Sequence, residues 1–503
     1  MIAKTEAFSL TGLTGIPVTV EVDVLNGLPK FEVVGLADNA VKEARERVCS
    51  AIKNSGRNFP ARRIIANFAP ADVKKEGSSY DLPLAVAVLK STGQLVAETE
   101  GIVFMGELSL DGGLRRVNGV LPSVISARDF GLKKFIVPAG NAKEASYVDG
   151  VEIYGADSLT AVINHLSGLN PITPEQKRSY KSEKGKNLYD ADLSFVKGQA
   201  VAKRALEIAV AGGHNILFVG APGTGKTMLA KCIPTIMPDM TFEEALETTK
   251  IHSVAGLLSD GDGLLLTRPF RSPHHTATTV SLTGGGAHVR PGEISLAHNG
   301  VLFLDEMPEY SRSTLESLRQ PLEDGVITVT RANGSVRYPA NFMLCGSMNP
   351  CPCGNYGSED KPCTCTPSQI SRYKARISGP LLDRIDIQVE VDGVKYTELT
   401  SEERGETSEV VRARVNRVRE IQKNRFEKDD ILTNSDMGEK QLVKYCKLSR
   451  ECEEVLHSAY DSLGLSPRAR SRIIKVARTI ADMSESPEIS VPHIMEAISY
   501  RHT

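Results

Sequence analysis

From position 18 the chain alternates: Val18, Val20, Val22 and Val24 stand between Thr19, Glu21 and Asp23. That period of two predicts a strand with one buried face. The spacing then widens to three and four. Val41, Ala44, Val48 and Ile52 share one face of a helix that Asp38 can cap. Strand-like runs follow at 63–67, 102–105 and 134–137, separated by helical stretches at 82–90 and 122–130. Residues 1–168 therefore read as one α+β unit. Residues 169–191 are polar, proline-bearing and aperiodic, the pattern of a linker. Beyond them, short continuous apolar runs at 215–219 and 301–304 predict fully buried strands. Helices are expected at 200–211 and 241–252, and after Ser311 with Leu315, Leu318 and Leu322 on one face. Two alternating segments around Asn333-Gly334 predict a hairpin, and 342–349 predicts another strand. From about residue 400 the pattern is helical. Val411, Val415 and Val418 mark one face of a helix over 409–426, with Arg412, Arg414, Arg417 and Arg419 expected on a solvated one. Ser466 and Pro467 then open a helix running through Met483.

Composition narrows the class. A chain of 503 residues is too long for one core, so two or three domains are expected. A net charge of −2 excludes a globally basic nucleic-acid binder but leaves a local basic surface open. No apolar run is long enough to cross a bilayer, and the first residues carry no secretory apolar segment. Nine cysteines, an odd number, fit reduced thiols better than a disulfide framework. These features predict a cytoplasmic protein with no membrane association.

The chemistry concentrates after the 215–219 strand. Gly220-Ala221-Pro222-Gly223-Thr224-Gly225-Lys226-Thr227 fits G-x-x-x-x-G-K-[ST] at every place, and Met228 starts a helical segment. Glycines let successive N–H groups curl around a phosphate chain, and the helix N-terminus adds partial positive charge. Lys226 is expected to reach the β- and γ-phosphates of ATP, and Thr227 to offer its hydroxyl to Mg²⁺. Alone, the motif could be a glycine-rich turn with a surface lysine. A second match decides it: the 301–304 strand ends in Asp305 and Glu306. Asp305 is placed to hold Mg²⁺ and Glu306 to polarise the attacking water.

Further stretches resemble parts of AAA+ ATPases. Residues 195–199 are similar to the adenine-side segment, and Asn349 fits the sensor 1 amide. Leu381-Leu-Asp-Arg384-Ile-Asp386 resembles the arginine-finger segment of the branch holding magnesium chelatases and MCM helicases. The alternative for Arg384 is a local ion pair with Asp383 or Asp386. Arg468 resembles a sensor 2 arginine projecting from a helical lid, with Arg472 its competitor one turn on. The N-terminal unit resembles the Lon-type proteolytic domain. There Ser79 falls at the nucleophilic serine, but Leu121 takes the position of the lysine base. A serine without a base stays a weak nucleophile, so the domain reads as a non-proteolytic relative.

Cys351, Cys353, Cys363 and Cys365 give C-x-C-x₉-C-x-C. Four converging thiolates suit tetrahedral zinc, although C-x-C is tighter than the usual spacing. Four reduced thiols in a loop remain the alternative, with a redox role a third.

The order of parts, together with Arg271-Ser-Pro-His274-His275-Thr276, Cys351-Pro-Cys353-Gly354 and 475–482, covers nearly the whole chain. On these motifs it resembles the ComM/YifB family, magnesium chelatase-like AAA+ proteins of bacteria. The resemblance implies an α/β fold: a P-loop AAA+ core at 192–400 with a helical lid at 401–503. A Lon-protease-like (ribosomal S5 domain 2-like) α+β domain precedes it. It further implies a ring, typically a homo-hexamer, that couples ATP hydrolysis to movement along single-stranded or branched DNA in branch migration during natural transformation. Arg268, Arg271, His274, His275 and the hairpin's Arg331 are the residues expected to meet DNA, with a subunit interface or solvated loop as the alternative for each. A chelatase ATPase subunit, an ATP-dependent protease and an ATP-switched assembly factor are the competing functions.

Overall fold

The computed structural model describes residues 2–180, 189–286, 289–331, 334–357, 361–394 and 405–501. Part of the expected linker (181–188) and Asn333 of the expected turn lie outside them. The first sheet has seven strands: β1 (Ala3–Thr11), β2 (Thr14–Leu25), β3 (Lys30–Val34), β4 (Arg63–Ala69), β5 (Ile102–Phe104), β6 (Lys134–Pro138) and β7 (Glu152–Ala156). Their order is β3-β4-β2-β1-β5-β6-β7. β2 runs antiparallel to β1 and β4, whereas the remaining pairs are parallel. The predicted alternation sends Val18, Val20 and Val22 into a core shared with Val41, Ala44, Val48 and Ile52. Those last four lie on helix Asn39–Asn54, where Asp38 accepts the N–H of Val41 at 2.9 Å.

The second sheet is wholly parallel. Its strands are β8 (Ile216–Val219), β9 (Phe270–Arg271), β10 (Val301–Leu304), β13 (Met343–Met348) and β14 (Ile387–Glu390), with β11 (Val326–Arg331) and β12 (Gly334–Pro339) forming a separate hairpin. The order is β9-β10-β13-β8-β14. All four residues of β8 are buried, and successive side chains go to opposite faces. Ile216 and Phe218 join a core with helices Ala200–Gly212, Lys226–Ile236, Ser408–Arg425 and Pro467–Met483. Leu217 and Val219 face a second core containing Leu302, Leu304, Leu344 and the hairpin's Ile327 and Tyr338. In a parallel sheet every C-terminal strand end opens on the same edge, where open α/β sheets bind ligands.

Two expectations are corrected. The helix expected after Ser311 is two short ones, Arg312–Glu316 and Pro321–Asp324. Pro321 has no N–H to donate and its ring would clash with the preceding turn, yet Leu315 and Leu318 are still buried. The arginine face of Ser408–Arg425 is not simply solvated. Arg414 binds the carboxylates of Glu207 and Glu406, and Arg419 donates to the Val210 carbonyl at 2.8 Å. Burial pushes the Arg419 guanidinium down to about 10. No helix among the described residues is long and apolar enough to cross a membrane.

Candidate nucleotide-binding site

β8 ends at the glycine-rich loop, and the loop's geometry depends on glycine at three places. A Cβ at Gly220 would stand 2.3 Å from the carbonyl oxygen of Val391. Gly223 and Gly225 take φ of +82° and +92°, with open space where a side chain would begin. Thr224 is buried and its hydroxyl donates to the Ala221 carbonyl at 3.0 Å, closing the turn. The helix starts at Lys226, so its first amides face the loop. Met228 is exposed beside it.

Three strand ends then bring four side chains together. Lys226 Nζ donates to the carbonyls of Gly220 and Ala221 at 2.6 and 2.8 Å and to Asn349 Oδ1 at 3.4 Å. Burial lowers its pKa, while Asp305 and Glu306 pull the other way. Thr227 Oγ1 donates to Asp305 Oδ2 at 3.0 Å. Ser347, inside β13, donates to the other oxygen of Asp305. The Glu306 N–H donates to Asp305 Oδ1 at 3.1 Å and to Ser347 Oγ at 3.2 Å. Glu306 itself is left-handed (φ 50°, ψ 47°), and its side chain is 56 % exposed with His275 Nδ1 3.6 Å away. Left-handed backbone at a non-glycine residue is costly and is held by its surroundings. Here the two hydrogen bonds to its amide do that. The Thr227 hydroxyl and Asp305 carboxylate are hard oxygen donors side by side, which fits Mg²⁺ beside a phosphate chain in the glycine cradle.

The arginines are placed as follows. Arg384 is 7 % exposed; it donates to the Pro380 carbonyl at 2.7 Å and pairs with the Glu323 carboxylate, not with Asp383 or Asp386. Arg468, on the exposed first turn of Pro467–Met483, acts electrostatically on the same Glu323. Arg472 is paired with buried Asp386. His214 Nδ1 lies 3.5 Å from that carboxylate. Burial works to raise the pKa of Asp386, but Arg472 and His214 together hold it well below the usual carboxylate range.

The residues expected to meet DNA are engaged to different degrees. The Arg268 side chain is 9 % exposed and bonded to the carbonyls of Pro238 and Asn299 and to Glu244, contacts that brace the chain. Arg271 is engaged by Glu293 through two hydrogen bonds of 2.7 and 2.9 Å. His275 lies at the nucleotide site, and His274 is exposed with its ring 4.1 Å from that of His275. Arg331 ends β11, and its side chain lies outside the described residues. The four clustered cysteines do converge, with all Sγ atoms within 4.8 Å of one another. In the first sheet, Leu121 is fully buried on helix Val120–Asp129, and the Ser79 carbonyl accepts the Gly106 N–H at 3.0 Å.

Sequence reasoning missed Ser347 and Glu323. A hydroxyl within the otherwise apolar run of β13 was a signal, because a buried polar group needs a partner. Glu323 carried no signal, since its pairing with Arg384 spans 61 residues.

Comparisons with known proteins follow the same layout. The family described as "Magnesium chelatase, subunit ChlI" matches residues 192–399, "Subunit ChlI of Mg-chelatase" matches 20–141, and "Magnesium chelatase, subunit ChlI C-terminal" matches 405–501. "Competence protein ComM" of Haemophilus influenzae is 45% identical over 96% of this chain and 94% of its own length. The Escherichia coli protein YifB is 44% identical over 97% of this chain and 95% of its own. A shorter likeness, 25% identical over 30% of this chain and 28% of the relative, is to Lon protease 2 of Bacillus subtilis.

Proposed function

The chain belongs to the ComM/YifB family of magnesium chelatase-like proteins, and from that premise we propose that it is a Mg²⁺-dependent ATPase working as a ring motor on DNA. The observation that carries the hydrolytic part is the convergence of Lys226, Thr227, Asp305 and Asn349 at the ends of β8, β10 and β13, with Glu306 beside them. Lys226 would exchange the Gly220 and Ala221 carbonyls for phosphate oxygens, and Thr227 and Asp305 would hold Mg²⁺. Bound Mg²⁺ supplies positive charge against the phosphate oxygens. Glu306 accepts the proton of the attacking water, and Asn349 orients that water. Arg384 serves a neighbouring subunit's site as a finger, released from Glu323, and Arg468 approaches from the helical lid. The finger role requires an oligomer, and a homo-hexameric ring is the form proposed.

The N-terminal sheet is proposed as a Lon-like domain without proteolysis, because an aliphatic, buried Leu121 stands where a base is needed. The substrate is proposed to be single-stranded or branched DNA, moved during recombination or natural transformation in the cytoplasm. Likeness to a relative named for competence, over nearly the full length of both chains, supports it. His274 and Arg331 remain the candidate DNA contacts. The test is ATP hydrolysis by the purified protein with and without single-stranded and branched DNA. The expected result is a DNA-stimulated rate that falls steeply with salt. Hydrolysis indifferent to every DNA form removes the motor while leaving the nucleotide site intact.

A further inference from the structure

The loop after β13 carries few apolar side chains. Between Cys351 and Cys365 it is polar or glycine-bearing, and its one aromatic, Tyr356, is 53% exposed. A segment this short cannot bury enough apolar surface to offset its own ordering. Nevertheless four sulfurs meet there. Cys351 Sγ lies 3.3 Å from Cys353 Sγ and 3.6 Å from Cys363 Sγ, and the last two are 3.6 Å apart. A disulfide needs about 2.05 Å, and all four cysteines are free. Four sulfurs around Zn²⁺ at about 2.3 Å stand roughly 3.8 Å apart along the edges of the tetrahedron.

The amides point the same way. The Tyr356 N–H donates to Cys351 Sγ at 3.3 Å, and the Cys365 N–H to Cys363 Sγ at 3.4 Å. Two of the four sulfurs thus receive a backbone amide. Neutral thiols accept hydrogen bonds weakly, whereas four thiolates on a dication leave a net negative charge that such dipoles stabilise.

We propose that Cys351, Cys353, Cys363 and Cys365 form a closed tetrathiolate zinc site that staples the loop onto the nucleotide site. All four positions are taken by protein sulfur, so the ion is structural and has no place for a reacting water. Its position gives it a purpose. Cys351 is buried two residues after Asn349, and Gly354 packs so closely on the P-loop that a Cβ there would stand 2.6 Å from Pro222 Cδ. The metal would thereby fix the Asn349 segment against the loop that carries Lys226, a consequence that rests on the nucleotide-site assignment above.

The test is elemental analysis of the full chain, equilibrated with micromolar zinc under reducing conditions and then desalted. About one zinc per chain is expected, and Co²⁺ in its place should give the thiolate-to-cobalt charge-transfer bands of an S₄ site. The double variant Cys353→Ser/Cys363→Ser should lose the ion, whereas Cys49→Ser and Lys226→Ala should keep it. A wild-type chain holding less than about a tenth of an equivalent, or holding iron in place of zinc, overturns the proposal without reference to any variant's folding. Retention of zinc by the double variant overturns it too. Because Lys226→Ala abolishes nucleotide binding but not zinc, failure of one assignment is distinguishable from failure of the other.

Discussion

Two buried aspartates, one packed near each sheet, are shifted in opposite directions. Asp81, in the N-terminal unit, is pushed up to about 6 by burial, with the single guanidinium of Arg47 at 2.6 Å pulling against it. Asp386, at the start of β14, is equally buried but faces both Arg472 and His214, and its carboxyl is held well below the usual range. Desolvation disfavours the carboxylate at both sites, so the groups facing each carboxyl decide the direction of its shift. The same contrast separates the two units as a whole. The mixed N-terminal sheet points its strand ends both ways. The parallel sheet gathers Lys226, Asp305, Glu306 and Asn349 at one edge.

That contrast can be broken in order of expected effect. Glu306→Gln should lower ATP turnover by roughly 10²–10⁴-fold while nucleotide binding persists; single-turnover hydrolysis and fluorescent-nucleotide titration measure the two halves. Normal turnover would put the water-activating carboxylate elsewhere. Arg472→Met should cost about 3–5 kcal/mol of stability by leaving Asp386 buried with less charge around it, read as a shift of the urea midpoint. Arg468→Ala should leave that midpoint in place and lower turnover, which separates the two arginines that compete for the lid role.

The pH dependence should run oppositely in the two units. The folded pKa of Asp81 lies above its unfolded value, so its contribution is full below about pH 4 and is lost as pH rises through about 6, by up to ~3 kcal/mol. Asp386 lies below its unfolded value, so its contribution is present above about pH 4 and is lost as pH falls towards its folded pKa. Asp81→Asn should therefore flatten the decline in urea midpoint between pH 4 and 7, and an unchanged slope would refute the assignment. The smallest effect is expected at Ser79→Ala, within about 0.5 kcal/mol in stability and with ATP turnover unaltered. Loss of a peptidase activity in that variant would instead revive the proteolytic alternative.

Local chemistry was legible from the chain because it depends on neighbours in sequence. The period of two in β2, the Asp38 and Ser466 caps, the glycine-rich loop and the Asp305-Glu306 pair each follow from a few adjacent residues. Partners across long separations were not legible. An arginine near a candidate DNA loop looks the same in sequence whether it is free or, like Arg268, spent on Glu244 and two carbonyls. Beside the finger role, the alternative for Arg384 is an ion pair with Asp383 or Asp386; its partner is instead Glu323, which the short Pro321–Asp324 helix brings within reach.

By itself, then, the sequence determined which backbone segments become strands and helices and which residue types line the phosphate-binding loop, since sterics, capping and burial periodicity act over a few residues. Only the tertiary structure decided which charges are already neutralised, that His275 faces Glu306, and that four cysteines on two turns of a loop converge. Electrostatic pairing and metal-like clustering are set by distances of a few ångströms between residues far apart along the chain, and those distances exist only once the sheet has assembled.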